Sequence, residues 1–469
     1  MSENLTTQNL ISCHGRTVIY SPYEQVTRDN IITILTNALP YFMQNQRQML
    51  YLDEYRKGRT PILLREKKIR PEINNKINVN RASEIVAFKV GYLLNEPVQY
   101  VARGTDEEKT TDKILTLNDY MYISDKEYFD RELAEEFSVC GTSYRFCLPT
   151  SRNDVSPFKI YDLKPMEAFV IYSSNVSKKP LMGVIETEIL RDEEYIIAYS
   201  CYTEDMFYQI ENNGDYIIVR EEKHSLGMIP IIEYPNNSSR IGDFELVLPL
   251  LDAINIVYSN RIDGVEQFIQ GLLKFINVDI SMEDFEKLKE LGAIKIKSNG
   301  ENRSDVEFLT QQLNQKDVQV LIDSLYQDIL TICGMPNQIG STSSTSDNVG
   351  SVIVRNGWEG AESRAKSTEL IFKRSEKQFL KLVFNIVSVL KGIDLDLKNV
   401  DIKLPRRNYE NIMQKSTVLT QMLGSDKIHP KLAFESCGLF TDPEVAYIMS
   451  KNYVETLNKI SEQLNKKDI

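Results

Sequence analysis

Cysteine, histidine and tryptophan are scarce: six, three and one in 469 residues. Cys13, Cys140, Cys147, Cys201, Cys333 and Cys437 are scattered and none forms a CxxC pair. Zinc sites need closely spaced thiolates and imidazoles, so no metal site is expected. The thiols read as reduced and mostly buried, as in a protein made in the cytosol. No apolar run approaches the ~20 residues that cross a bilayer. The start, MSENLTTQNL, has no basic stretch followed by an apolar one, so no signal peptide is expected.

Nucleotide chemistry is also missing. There is no GxxxxGK[ST] loop and no GxGxxG after a strand, and the stretch from Gly340 to Gly350 has no lysine to hold phosphates. His14, His224 and His429 have no neighbouring Ser or Cys nucleophile with a helper carboxylate. The acidic groups Glu107-Glu108, Asp192-Glu193-Glu194 and Glu221-Glu222 sit in turn-like polar stretches and read as solvated surface. No catalytic residue and no cofactor is expected. A formal charge of -12 argues against tight nucleic-acid binding, which draws on Lys and Arg. It leaves room for a protein that DNA passes through without sticking.

What is present is a chain of ordinary composition, 42 % hydrophobic and 26 % charged, long enough for two or more packed modules. Ser2 to Ser21 shows no sustained period and reads as an extended arm. Thr27 is placed to cap a helix bearing Ile31, Ile34, Leu35 and Leu39. Helices are expected over 81–94 and 113–141. Between Thr142 and Tyr234, short Tyr-, Ile- and Val-rich segments predict a mostly antiparallel sheet. Its clearest hairpin is CYTEDMFYQI and DYIIVREE joined through Asn213-Gly214.

A helix follows over 243–270, with Pro249 tolerable only in its first turn. Val247, Leu251, Ile254, Tyr258, Ile262, Val265 and Ile269 form an apolar stripe. A polar line runs beside it through Asp252, Asn255, Ser259, Asp263, Glu266 and Gln270, expected to meet water. A small α/β insert comes next: strand LLKFINVDI, a helix from Ser281 to Leu291, then strands AIKIKS and VEFLT. A second helix over 316–333 closes the bracket and ends at Gly334 and Pro336. The Ser/Thr-rich QIGSTSSTSDNVGS has loop composition. A long helix is expected from about Val349 to Lys391, then a strand, VDIKLP, and a helical C-terminal portion.

Three stretches carry a family resemblance. YLDEYRKGRTPILLR followed by PEINNKINVNRASEIVAFKVGYLLNEPVQY resembles the N-terminal signature of the Gp6-like portal family of siphophages. SDNVGSVIVRNGWEGAESRAKSTELIFKRSEKQF resembles the loop-to-long-helix junction of those portals, and HPKLAFESCGLFTDPEVAYIMSK their C-terminal segment. At the junction the usual Ser-Gly-x-Ala is replaced by Val349-Gly350-Ser351-Val352, which blurs where the long helix starts.

The resemblance implies an α+β portal fold. Residues 1–27 would be an N-terminal arm, 28–242 a wing, 243–270 and 316–333 two stem helices, and 271–315 a clip between them. Residues 334–349 would be a tunnel loop, 350–407 the long helix and its return to the wing, and 408–469 a crown. It implies a non-enzymatic ring, a dodecamer at one capsid vertex, through which double-stranded DNA passes without sequence recognition. Partners would be a terminase carrying the motor, a head–tail adaptor, and the major capsid and scaffolding proteins, with assembly in the host cytoplasm.

On this reading Asp252, Asn255, Ser259, Asp263, Glu266 and Gln270 line the channel. Gln338, Ser341, Thr342, Ser343, Ser344, Thr345 and Asn348 touch DNA through weak hydrogen bonds. Lys274, Glu283, Asp284, Glu286, Glu290, Lys295, Lys297 and Arg303 form a mixed-charge docking surface on the clip. Two alternatives stay open: another phage head protein with a portal-like region, and a metal-dependent DNA enzyme using the acidic groups.

Overall fold

In a computed structural model the described residues are 15–103, 108–191, 194–269, 272–276, 305–309, 315–337, 357–406, 412–440 and 443–465. They fall into two units. The first takes residues 1–57, 81–247 and 330–469, and the second takes 58–80 and 248–329.

The first unit opens with strand β1 (Ile19–Ser21) and helix α1 (Ile31–Arg56). Then come α2 (Arg81–Leu93), β2 (Gln99–Ala102), α3 (Glu108–Ile123) and α4 (Lys126–Cys140). The strand-rich part holds β3 (Thr142–Pro149), β4 (Phe158–Leu163), β5 (Ala168–Ser173), β6 (Pro180–Arg191), β7 (Glu194–Tyr202), β8 (Met206–Asn212), β9 (Tyr216–Lys223) and β10 (Ile231–Pro235). The second unit contributes α5 (Leu248–Ile269), β11 (Leu272–Ile276), β12 (Asp305–Leu309) and most of α6 (Gln315–Cys333). The first unit resumes with α7 (Trp358–Lys391), β13 (Val400–Lys403), α8 (Ile412–Leu423), α9 (Pro430–Cys437) and α10 (Pro443–Asn465).

Period-two alternation explains the layering of the first unit. A six-stranded sheet runs β1-β5-β6-β7-β8-β9, and a three-stranded sheet runs β10-β3-β4. On β10, Ile231 packs with Phe169, Met182 and the α1 side chains Leu35 and Phe42, whereas Ile232 and Tyr234 pack with Phe372, Phe379 and Val383 of α7. The small sheet is therefore the middle layer between the large sheet and α7. Phe42 stacks on Phe169 at 4.4 Å between ring centroids. Each fully buried Phe or Leu in these two cores stabilises by about 1.5–3 kcal/mol.

Several expectations are corrected. Residues 15–21, expected as an extended arm, are extended but seated in the fold, because β1 pairs parallel with β5 (Ile19 opposite Ile171) and Arg16 is buried on Glu245 at 2.6 Å. Thr27 does not cap α1. The helix starts at Ile31, and Asn30 Oδ1 instead accepts from the Thr27 N–H. The helix expected over 113–141 is two, broken where Asp125 takes a left-handed φ of 52°. Gly141 ends α4 at φ +82°, where a Cβ would lie 2.0 Å from the Arg240 carbonyl oxygen, so only glycine fits. The expected hairpin is present around Gly214 (φ 92°), but its first arm is two strands, with a turn at Thr203–Asp205 separating Tyr202 of β7 from β8. VDIKLP supplies β13, which pairs with β2.

A short 3-10 turn at Glu245–Val247 ends this stretch of the first unit, and α5 of the second starts at Leu248, so Pro249 does fall in the first turn. β11 and β12 pair antiparallel, Leu272 opposite Leu309, as two of the expected insert strands. The expected Ser281–Leu291 helix and AIKIKS strand lie outside the described residues. So does the start of the long helix before Gly357, which precedes α7 with φ 79°.

Candidate functional site

Asn255, Ser259 and Asp263 are four residues apart on α5 and so share one helix face. Residues 75–79 lie extended along that face, and alternate backbone N–H groups donate to it. Val79 N–H reaches Asn255 Oδ1 at 2.9 Å, Ile77 N–H reaches Ser259 Oγ at 2.9 Å, and Asn75 N–H reaches Asp263 Oδ1 at 2.8 Å. The match is geometric: four helical residues rise about 6 Å, close to the ~6.6 Å spanned by two extended residues. Ser259 Oγ–H in turn donates a hydrogen bond to the Asn255 carbonyl oxygen at 2.8 Å.

Asp263 is the anchor. Its Oδ1 also accepts the Asn75 side-chain amide at 2.9 Å, and its Oδ2 meets Lys67 at 2.9 Å and Arg65 at 3.2 Å. Burial alone would raise this carboxyl, but the Asn75 donors and the Lys67 ammonium outweigh it and hold the group below the usual carboxylate range. The strap is tied to itself as well. Asn74 donates to Arg65 O, Lys76 to Leu63 O, and Asn78 to Gly58 O, at 3.0, 2.9 and 2.8 Å. Thus the Asn-Asn-Lys-Ile-Asn run at 74–78, within the first stretch that carries the resemblance, belongs to the strap that seats α5.

The same unit joins α5 to α6. Arg261 donates to Gln315 Oε1 at 2.6 Å and to Gln319 Oε1 at 2.8 Å. Two helices linked by a guanidinium therefore flank the β11–β12 pair.

Residues 35–468 match the family model described as phage portal protein, SPP1 Gp6-like. The chain belongs to this portal family. No curated protein matches it. Three similar solved structures come from gene transfer agent (GTA) particles. The neck of an empty GTA particle computed with C6 symmetry aligns over 76 % of this chain and 90 % of that one, at 11 % identity and TM-score 0.47. The virion of a native particle covers 84 % and 93 %, at 10 % identity and TM-score 0.46. The neck of a native particle computed with C12 symmetry covers 84 % and 94 %, at 10 % identity and TM-score 0.42.

For a portal-family chain, the positions expected on the channel need correction at the seam. Asn255, Ser259 and Asp263 are 4 %, 0 % and 3 % exposed, covered by the strap of the same chain, so they offer no surface to water. Asp252 and Glu266 are half-buried, and Gln270 lies outside the described residues. The apolar stripe is also uneven: Leu251 and Ile254 are buried, while Val265 is 38 % exposed. Sequence reasoning missed Lys67 and Asn75, whose only signal was an amide-rich, non-periodic run just upstream of a helix. Lys274 lies on β11, but its side chain is outside the described residues, as are Glu283, Asp284, Glu286, Glu290, Lys295, Lys297 and Arg303. The expected loop residues Gln338, Ser341, Thr342, Ser343, Ser344, Thr345 and Asn348 are outside them too.

A buried charge cluster around Glu376 in the first unit is structural. Glu376 of α7 accepts from Tyr100 and, at 2.7 Å, from Tyr234, and it lies 3.0 Å from Lys126. Asp130 takes Lys126 at 2.6 Å and Arg145 at 2.7 Å, and Arg145 also reaches Asp162 at 3.1 Å. Burial would raise the Glu376 carboxyl, but Lys126 and Arg145 hold it low. Asp162 is pushed up to about 6 by burial, which Arg145 only partly offsets. Each acid is answered by a cation, and Glu376 by phenols as well, which pins α7 to α4 and β3. Among the described residues no group of three or more His, Cys, Asp or Glu is placed to hold a metal ion. Nor, among them, is any helix long and apolar enough to cross a membrane. Glu221 and Glu222 are exposed, and the five described cysteines are buried free thiols.

Proposed function

We propose that this chain is the conduit subunit of a tailed phage, closing as a dodecameric ring at one capsid vertex through which DNA is packaged and ejected. The match to the portal family over residues 35–468 carries the reading. The helix pair α5–α6 flanking β11–β12 supports it, because a stem with a clip at its end needs two helices held side by side.

In this role the channel wall is acidic at Glu266, which stays partly exposed on α5, whereas Asp263 is neutralised by its cations. A wall of that sign disfavours adhesion of the moving duplex. The loop from Gln338 to Asn348 guides and retains DNA through hydroxyl and amide contacts. The insert around Lys274 to Arg303 docks the terminase during packaging and the head–tail adaptor afterwards. Major capsid and scaffolding proteins surround the ring, which is assembled in the host cytoplasm and carried in the virion. The ATP-consuming motor is a separate protein.

Native mass measurement and particle-averaged imaging of the purified protein test the reading. A closed ring of twelve copies with an axial channel is the expected result. A stable monomer or dimer at assembly concentrations would overturn it.

A further inference from the structure

Helix α3 has two apolar faces. One is in the core of the first unit, where Ile114, Leu117 and Met121 are buried. The other points to solvent: Leu115, Tyr122 and Ile123 are 57 %, 84 % and 46 % exposed. Asp112 and Asp119 lie on that same outer face, because steps of three and four place Asp112, Leu115, Asp119, Tyr122 and Ile123 together on a helix. Both aspartates are exposed, and neither is ion-paired among the described residues. A contiguous apolar face in water marks a contact surface, and this one carries two carboxylates.

The same unit holds a groove of complementary character. It has two adjoining lobes of about 620 and 610 Å³ that meet at Tyr172 and Gln378. One wall is α7, which contributes residues from Ile371 to Asn385, a run of about 21 Å at 1.5 Å per residue. Half-buried Met228, Leu395 and Leu397 supply apolar surface. The groove's acids are already answered: Glu204 pairs with Lys179 at 2.8 Å, Glu233 with Arg240 at 2.5 Å, and Asp396 with Lys398 at 3.0 Å. Arg374 and Lys381 are left over, both exposed and neither ion-paired among the described residues.

The spacings agree. Arg374 and Lys381 are seven residues apart on α7, and Asp112 and Asp119 are seven apart on α3. On each helix the charges therefore stand about two turns, or ~10.5 Å, from one another on one face. The α3 stripe is not the occupant of its own groove, since none of its five residues lines either lobe. Ser124, just past α3, meets Ser156 at 2.8 Å ahead of β4, whereas the groove runs beside β10, the opposite edge of the small sheet.

We infer that α3 of one copy lies in this groove of the next, with Asp112 and Asp119 against Arg374 and Lys381 and with Leu115 and Tyr122 on the apolar surface. This deepens the ring reading and rests on it. The contact joins unlike surfaces, the type that repeats around a closed ring. The apolar face supplies buried area, as in other helix-in-groove contacts, and the paired charges set the register.

The test uses the full chain. Isotopically heavy and light protein are mixed before assembly and treated with a zero-length carbodiimide, which joins a carboxylate to a lysine in contact with it. Heavy–light peptides linking Asp112 or Asp119 to Lys381 are expected, and wild-type rings that give none would overturn the contact. Three charge variants supply the second readout: R374E/K381E, D112K/D119K, and all four together. Ring yield in native mass spectrometry should fall about tenfold or more in each double variant and return in the quadruple. Rings that persist in either double variant, or a quadruple that stays dissociated, would overturn the contact while leaving the ring reading intact. A wild-type chain that never closes would overturn both.

Discussion

Asn75 holds Asp263 with two donors on one oxygen: its backbone N–H at 2.8 Å and its side-chain amide at 2.9 Å both point at Oδ1. The remaining oxygen is left to Lys67 and Arg65. A residue expected to colour a channel wall negative is thus a neutralised joint inside the chain.

Asp263→Asn should lower stability by about 1–3 kcal/mol, since two cations lose their partner in a nearly closed site. The folded-state pKa is depressed, so the carboxylate's contribution is fully present above the unfolded value near 4. It is lost as pH falls through the lower folded pKa. Urea midpoints at pH 7 and near pH 2.5 check this, with the gap between variant and parent closing at the acidic end.

Glu136 should behave in the opposite sense. Burial, helped by Asp53, lifts its carboxyl to about 7. The folded state therefore holds the proton more tightly than the unfolded state, and stability falls as pH rises from about 4.5 to 7. Glu136→Gln should remove that slope and stabilise the chain at pH 8 by on the order of 2 kcal/mol. A pH series of thermal unfolding would show an unchanged slope if the assignment is wrong.

Glu376→Ala should cost about 3–5 kcal/mol, because the buried Tyr100 and Tyr234 hydroxyls lose their acceptor and Lys126 is left with Asp130 alone. Glu376→Gln should cost less, because the amide can still accept from Tyr100 or Tyr234. Chemical denaturation of both variants gives the ranking, and equal losses would show that the charge is irrelevant.

Deleting Ser341 to Ser344 should reduce the DNA retained per particle while leaving ring assembly intact. Quantifying packaged DNA beside ring images decides it, and full retention with normal rings would remove the loop from the mechanism.

The sheet, the second-unit helices and two of the insert strands could be read from periodicity and turn residues, because burial on one face writes a period into the chain. β1 could not. Three residues carry no period, and its pairing with β5 depends on a partner 152 positions later. The polar seam was misread for a related reason. A line of Asn, Ser and Asp every four residues looks the same whether water or a peptide strap satisfies it. Only the strap distinguishes them, and its hydrogen bonds use backbone N–H groups that have no residue signature. Thr27 was misassigned because a Thr just ahead of a periodic apolar run looks alike in sequence whether it caps the helix or sits in the turn before it, as here, where no side chain caps α1.

Evenly spaced donors at 75, 77 and 79 face evenly spaced acceptors at 263, 259 and 255. Sliding α5 by a fraction of a turn would leave all three amides facing bare helix, whereas a slip of one whole turn would re-form two of the three pairs. The seam therefore acts as a detent. It resists small axial creep of α5 against the strap and favours whole-turn steps, the spacing at which donors and acceptors meet again.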